Sequence, residues 1–261
     1  MTTLPIAAGP FPVRVGRPRD DDWIPAANLL EPGSPLLEER LLAFGKRLGT
    51  TRAAVALSLL LEAYTGLLAS VAFGSLLGAG RAPELAVGNV SVRLESGGVP
   101  DALAVHDPTP RAGDRLDRLE GVAASLLDRH LGVLVARLGA VRAGRGRRAL
   151  WGLVAGGCAA AVVDAVERAG GPPRQARALT EALFALPGSP LPGPPRLLEV
   201  APGRRATAGR PTAGRLVRKR LSCCLSYALP GCDYCATCPV WSDQRAAELA
   251  AARLAALPTD G

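Results

Sequence analysis

Cysteine is concentrated in one stretch of this sequence, Cys223-Cys224-Leu225-Ser226-Tyr227-Ala228-Leu229-Pro230-Gly231-Cys232-Asp233-Tyr234-Cys235-Ala236-Thr237-Cys238-Pro239, which holds five of the six cysteines of the chain. The sixth, Cys158, lies far upstream in an apolar run. Cysteines spaced this closely have three common uses in proteins, namely a disulfide knot, a zinc site or an iron–sulfur cluster. The interpretation of the whole chain depends on which of the three this segment forms.

The start of the chain argues against disulfides. Residues 1–12 lack the basic start of a secretory signal, and prolines interrupt any apolar helix there. Without export the thiols should stay reduced. We therefore expect a cytoplasmic protein, and we leave open a peripheral association with a membrane.

The spacing of the cysteines favours an iron–sulfur cluster over zinc. Zinc ribbons use two Cys-x2-Cys knuckles, whereas this segment has one knuckle, Cys235 and Cys238, and the adjacent pair Cys223 and Cys224. Adjacent side chains in an extended strand point to opposite faces, which suits several metal atoms better than one. Cys232 extends the knuckle to a triplet, so a four-iron cluster on the triplet and one cysteine of the pair remains an alternative.

Composition and periodicity predict an α+β protein that is predominantly helical. Apolar residues make up 48% of the chain and aromatic residues only 4%, so the core should consist mainly of Ala, Leu and Val. The patterns predict a helical bundle-like body, a small antiparallel sheet and a cysteine-rich iron–sulfur segment at the C-terminus. Helices are predicted over residues 34–48, 50–77, 114–141, 150–168, 175–186 and 242–257, a β-hairpin near 85–106, and a strand at 197–200.

Four regions follow from these patterns. Residues 1–33 are predicted to be an irregular N-terminal arm, and residues 34–186 a mainly helical body that contains the hairpin. Residues 187–195 are rich in Pro and Gly and should form a stiff connector. Residues 196–261 then form a basic, iron–sulfur-binding C-terminal region.

Two apolar runs raise the question of a membrane. Residues 53–80 are long enough to span a bilayer and contain a single charged residue, Glu62. Several Ser, Thr and Gly residues lower the apolarity of this run, so a central buried helix is the preferred interpretation. Residues 149–163 are shorter and are also expected in the core.

Basic residues are unevenly distributed. The net charge is +8, and the segment from Arg196 to Arg220 contains eight basic residues and one acid, Glu199. Such a segment can attract nucleic acid, an anionic membrane, an acidic protein or a small anion, or it can be a solvated surface. A second basic group lies upstream and comprises Arg142, Arg145, Arg147 and Arg148.

The rest of the sequence offers no other catalytic centre. The two histidines, His106 and His130, are separated from the cysteines and are expected to be structural. This excludes a metalloenzyme that uses several histidines. The sequence also has no phosphate-binding loop and no convincing Ser/His/Asp arrangement. No catalytic residue is therefore predicted beyond the cysteine site.

The segment that begins Arg218-Lys219-Arg220-Leu221-Ser222-Cys223-Cys224 and ends Cys235-Ala236-Thr237-Cys238-Pro239 resembles the C-terminal signature of the FhuF-type ferric iron reductases. That signature is Cys-Cys-x10-Cys-x2-Cys preceded by arginines, and ten residues separate Cys224 from Cys235 here. Weaker similarity extends upstream, where residues 126–131 and 150–152 resemble the helical body that this family shares with part of the siderophore synthetases.

The resemblance implies a ligand set and a reaction. In the family the pair and the knuckle hold a 2Fe–2S cluster, which carries over to Cys223, Cys224, Cys235 and Cys238. Cys232 departs from the family pattern, and we interpret it as a spare thiol. The implied reaction is a one-electron reduction of siderophore-bound ferric iron, with release of ferrous iron in the cytoplasm.

The implied partners are a ferric siderophore complex and an electron donor, which would be a ferredoxin- or flavoprotein-like protein or a reduced cofactor. The basic residues expected to tune the cluster or dock a partner are Arg215, Arg218, Lys219 and Arg220. Nucleic acid is not expected, and peripheral contact with the inner membrane or a siderophore importer is compatible with this function. The alternative is a non-enzymatic iron–sulfur or zinc regulator or interaction module, whose arginine-rich segment binds nucleic acid or an acidic partner.

Overall fold

Two long helices, α3 (Ala53–Ala79) and α6 (Arg147–Arg168), pack against each other at the centre of the protein. The structure is a computed structural model that describes residues 11–95, 98–109, 117–141, 144–200 and 215–256. The two helices approach closely at Gly157, where a Cβ atom would lie 2.7 Å from Thr65 Cγ2. The sequence predicted both helices, and α3 ends as expected at Gly80, whose φ is +75°.

The other helices that the sequence predicted are confirmed apart from their end points and one interruption. A π-helix, Ala124–Leu131, interrupts the helix predicted over 114–141, whose first residues lie outside the described part of the chain. The π-helix bonds to the segment Glu84–Leu85 through Ser125, Arg129 and His130. Arg129 and His130 follow Ser125 by four and five residues, a spacing that matches the wider π-turn. The other helices are α1 (Ala26–Leu29), α2 (Leu36–Arg47), α4 (Leu119–Ala123), α5 (Gly132–Ala140), α7 (Pro173–Phe184) and α8 (Asp243–Ala255).

A four-stranded sheet lies against the helices, in the order β1–β4–β3–β2. The predicted hairpin is confirmed as β3 (Val90–Leu94) and β4 (Pro100–Val105), although its first strand begins five residues later than the hairpin range. The strands β1 (Val13–Val15) and β2 (Trp23–Pro25) add to its two edges, and β1 runs parallel to β4.

The prediction of an irregular N-terminal arm is therefore wrong for residues 13–15 and 23–29, which form β1, β2 and α1. The physical reason is that both edges of the hairpin expose backbone N–H and C=O groups, and the short strands pair with them. Residues 1–10 of the predicted arm lie outside the described residues.

A two-stranded antiparallel sheet precedes the cysteines. It consists of β5 (Leu197–Val200), which was predicted, and β6 (Arg215–Arg218), which was not. Leu197 pairs with Arg218, and the hydrogen bond from Lys219 N to Arg196 O (2.8 Å) extends the ladder. Residues 201–214 between the strands lie outside the described part. Whether residues 187–195 mark a domain boundary stays a prediction.

Among the described helices, α3 and α6 are long and apolar enough to span a membrane. However, 72% of the most apolar window of α3 and 83% of that of α6 are buried inside the protein. Such burial is typical of the core helices of a globular protein, so both are the central helices that the sequence predicted.

Candidate metal centre

Four cysteines meet where the chain leaves β6. The thiol of Cys224 interacts with that of Cys235, and the thiol of Cys223 interacts with that of Cys238. Each cysteine of the adjacent pair thus contacts one cysteine of the knuckle. The structure brings together the four residues that the family resemblance selected, while their role as ligands stays a prediction.

The local backbone explains how two adjacent cysteines serve one site. Cys223 and Cys224 lie in no strand, and Leu225 adopts the left-handed conformation, with φ +63°. The Leu225 N–H donates to Cys223 Sγ at 3.4 Å, and Ser226 Oγ is hydrogen-bonded to Cys224 Sγ at 3.4 Å. This turn replaces the opposite orientation that an extended strand would impose.

The knuckle is fixed by its own hydrogen bonds. The N–H of Cys238 donates to the carbonyl of Cys235 at 3.0 Å, and the indole Nε1 of Trp241 donates to the same carbonyl at 3.1 Å. A bond of 2.9 Å from Arg220 N to Thr237 O then ties the knuckle to the chain that leads into the cysteine pair. Backbone contacts therefore hold the two halves of the site together.

The charge state of the thiols suits metal binding. Hydrogen bonding with Cys235 lowers the pKa of Cys224 to about 4, with a further contribution from the charge of Arg220. The same hydrogen bond raises the pKa of Cys235, and burial raises that of Cys223. The Cys224–Cys235 pair thus holds one thiolate at neutral pH, and the thiolate is the form of cysteine that binds metals.

The cysteine segment docks on α6. A Cβ on Gly152 would lie 2.3 Å from Ser222 Oγ, and one on Gly156 would lie 3.6 Å from Arg218 Nε. These glycines are one helical turn apart and form a shallow face for the segment. Arg145 Nη2 adds a bond of 2.8 Å to the carbonyl of Cys223.

Burial differs between the four cysteines. Cys224 and Cys238 are 2% and 1% exposed, and Cys224 belongs to the main hydrophobic core. Cys223 and Cys235 are half-buried. The site therefore has one side in the protein and one side close to solvent.

The basic residues beside the site are ion-paired. Arg218 Nη2 lies 3.6 Å from Glu62 Oε1 on α3, and Arg220 Nη1 contacts the same oxygen. Burial lowers the pKa of Arg218, while the charges of Cys235 and Cys224 oppose this change. Glu62 was not predicted as a site residue, although a lone carboxylate in an apolar helix is a signal for a buried partner.

Lys219 and Arg215 are also paired. Lys219 Nζ contacts Asp243 Oδ1 at 2.8 Å, Arg196 contacts the other oxygen of Asp243, and Arg215 Nε lies 3.1 Å from both oxygens of Glu167. The four basic residues singled out in the sequence therefore have acidic partners, and this leaves their charges less free to contact phosphates or an acidic protein. Arg142, Arg204, Arg205 and Arg210 lie outside the described residues.

The remaining sequence candidates lie away from this arrangement. Cys232 is exposed, and Cys158 is in the core, where burial raises its pKa to about 12. His130 is fully buried between the Tyr64 hydroxyl (2.8 Å) and the Leu85 carbonyl (2.5 Å). His106 is bonded to Ser91 Oγ at 2.8 Å. Both histidines thus have the structural surroundings that the sequence predicted.

The donor set fits a two-iron cluster. It consists of four thiols in two contacting pairs, and a 2Fe–2S cluster takes four cysteine thiolates, two on each iron. Within the described ranges, no three His, Cys, Asp or Glu side chains are grouped around a position for a single metal ion.

Several apolar side chains of the cysteine segment are exposed. The rings of Tyr227 and Tyr234 lie 4.6 Å apart, and Tyr234 meets the edge of Trp241 at 5.8 Å. Tyr227 and Tyr234 are 38% and 45% exposed, and Leu221 and Val240 are also exposed. We refer to Leu221, Tyr227, Tyr234 and Val240 as the apolar rim.

Two family models match the sequence. One, described as a ferric iron reductase FhuF-like transporter, matches residues 58–201, which is more than half of the chain. The other, described as a FhuF 2Fe-2S C-terminal domain, matches residues 220–239 and so contains all four clustered cysteines. The second match indicates a 2Fe–2S cluster as the cofactor. No curated protein matches the chain.

Proposed function

Because the chain belongs to the FhuF-like ferric iron reductase family, we propose that it reduces siderophore-bound ferric iron to ferrous iron by one-electron transfer and so releases the iron in the cytoplasm. The observation that carries the proposal is the assembly of Cys223, Cys224, Cys235 and Cys238 into two contacting pairs on the helical body. These four residues would hold the cluster.

The chemistry of the substrate explains why one electron suffices. A siderophore binds ferric iron through hard oxygen donors, and the softer, less charged ferrous ion is held more weakly. The bound cluster supplies that electron. No proton transfer is needed to labilise the iron, which agrees with a sequence in which no catalytic arrangement is predicted beyond the cysteine site.

The residues of the chain have three tasks in this scheme. Cys224 is kept as a thiolate, and the Leu225 N–H and the Ser226 hydroxyl bond to cysteine sulfurs. Arg218 and Arg220 place positive charge beside the negatively charged thiolates. Because Arg215 and Lys219 are paired with acids as well, we assign the four basic residues to the electrostatics of the site rather than to direct docking.

The apolar rim is the proposed approach for the ferric siderophore. It lies in the same segment as the half-buried Cys223 and Cys235, whereas Cys224 and Cys238 face the protein. The donor would be a ferredoxin- or flavoprotein-like protein or a reduced cofactor. The chain itself would work in the cytoplasm. Peripheral contact with the inner membrane or with a siderophore importer would bring it close to incoming iron.

A single-turnover experiment tests the proposed reaction. The protein is reduced chemically without oxygen, freed of excess reductant and mixed with a ferric siderophore, and released ferrous iron is trapped by a coloured chelator. We expect oxidation of the protein and appearance of ferrous iron at matching rates. A reduced protein that stays reduced in the presence of several chemically different ferric siderophores would contradict the proposal.

A further inference from the structure

Glu62 is a buried carboxylate that two arginines share. Its side chain is 14% exposed and projects from the central helix α3, and the side chains of Arg218 and Arg220 are each 16% exposed. Both guanidiniums contact the same oxygen, Oε1. Lys219, which lies between the two arginines, turns the other way and pairs with Asp243. The alternation of side chains along the extended chain thus directs Arg218 and Arg220, two residues apart, at one carboxylate.

The two arginines also interact with the thiols. Arg220 N donates to Thr237 O, between Cys235 and Cys238, at 2.9 Å, and the positive charges of Arg218 and Arg220 act on Cys224 and Cys235. Glu62 and the two arginines therefore form a charge group with one negative and two positive members beside one thiol pair. Salt screens charges in such buried positions only weakly.

We propose that Glu62 compensates the positive charges of Arg218 and Arg220 beside Cys224 and Cys235 and thereby keeps the midpoint potential of the redox site low. Gain of an electron makes the site more negative, so a nearby carboxylate opposes reduction and nearby guanidiniums favour it. Without Glu62 two uncompensated positive charges would remain, and the reduced form would become too stable to pass its electron on efficiently. This inference rests on the cluster role proposed above for the four cysteines.

The test is a redox titration of the Glu62→Gln variant, made on the full chain with its cluster. Visible absorption monitors the reduction of the cluster. Glutamine keeps the size of the side chain and removes its charge. We expect the absorbance of the cluster to remain and the equilibrium constant for its reduction to rise about tenfold. The matched control is Glu167→Gln, which removes the carboxylate from the more exposed pair with Arg215 and should leave the titration unchanged. An unchanged titration in Glu62→Gln, or an equal shift in the control, would overturn the proposal.

A second variant covers the case in which Glu62→Gln does not retain its cluster. Arg220→Gln removes one positive charge and leaves the carboxylate, so the equilibrium constant for reduction should fall. An unchanged or higher constant overturns the proposal, and so does loss of the cluster from both variants, because the charge group would then be needed for assembly rather than for the potential. A wild-type protein that carries a cluster but does not reduce ferric iron would contradict only the proposed function.

Discussion

Gly152 of α6 leaves the space that Ser222, the residue before the cysteine pair, occupies. A Cβ at Gly152 would lie 2.3 Å from Ser222 Oγ and 3.0 Å from Ser222 Cβ. Rotation of the serine could relieve the first contact but not the second, which is fixed by the backbone. The fit of the cysteine segment to the helical body therefore depends on this glycine.

Replacement of Gly152 by Ala should displace the cysteine segment. Overpacking of this kind lowers the free energy of unfolding by about 1–3 kcal/mol, and we expect less cluster per chain as well. Thermal unfolding and iron content measure the two effects. The control is Gly139→Ala on α5, where a Cβ meets nothing within 4 Å and the substitution should be neutral or stabilising. Equal behaviour of the two variants would show that Ser222 does not need the space.

Single serine substitutions separate the four clustered cysteines from the exposed one. Cys235→Ser and Cys238→Ser should each abolish the iron–sulfur absorbance and ferric reduction together. Cys232→Ser should retain both, since Cys232 is exposed and lies outside the two thiol pairs. Loss of absorbance in Cys232→Ser, as in Cys235→Ser and Cys238→Ser, would instead support the alternative of a four-iron cluster on the triplet and one cysteine of the pair.

His130 predicts a pH dependence of stability. Burial lowers its pKa from 6.5 to about 4 in the folded protein. The unfolded chain therefore binds more protons between these values, so the stabilising contribution is complete above pH 6.5 and is lost as the pH falls towards 4. A shift of this size corresponds to roughly 3 kcal/mol.

Denaturant unfolding at a series of pH values measures this effect. The slope of stability against pH between 4 and 6.5 should be shallower in His130→Gln than in the wild type. His106 provides the comparison, because burial lowers its pKa as well but it is less enclosed. The variant His106→Gln should change the slope less than His130→Gln does. A larger change in His106→Gln would contradict His130 as the main cause of the pH dependence.

Tyr234 tests the apolar rim as the approach for the substrate. Tyr234→Ala removes a half-exposed ring next to Cys235 and should raise the KM for a ferric siderophore several-fold, while the absorbance of the cluster stays unchanged. Leu42→Ala is the control, since Leu42 is 75% exposed and lies on α2. Steady-state kinetics with the same electron donor compare the two variants. Equal KM values for the ferric siderophore in both would show that the substrate approaches elsewhere.

Local patterns predicted the parts of the fold that local interactions determine. The period of apolar residues predicted the long helices, and the alternation on either side of the predicted turn at 95–100 indicated the hairpin. The strand β1 was missed because its partner β4 lies about ninety residues later, and β6 was hidden among basic residues. Neither strand has a sequence pattern that predicts it by itself, because each forms by pairing with the edge of another strand.

The candidate site likewise has one part that the sequence predicted and one part that only the folded chain shows. The four clustered cysteines could be selected by their resemblance to a family, but the crosswise contacts between the pair and the knuckle require the folded chain. Glu62 stood out in the sequence only as a charge within an apolar helix, because its two partners lie more than 150 residues away. The ion pairs of Arg215, Arg218, Lys219 and Arg220 were hidden for the same reason, and a docking role for these residues stays a prediction.

The identity of the metal in the cysteine segment tests the account most directly. The protein should be purified without oxygen, its iron, zinc and acid-labile sulfide counted, and its visible and EPR spectra recorded before and after reduction. We expect two irons and two sulfides per chain and a one-electron EPR signal that appears on reduction. One zinc ion per chain without sulfide would contradict the account.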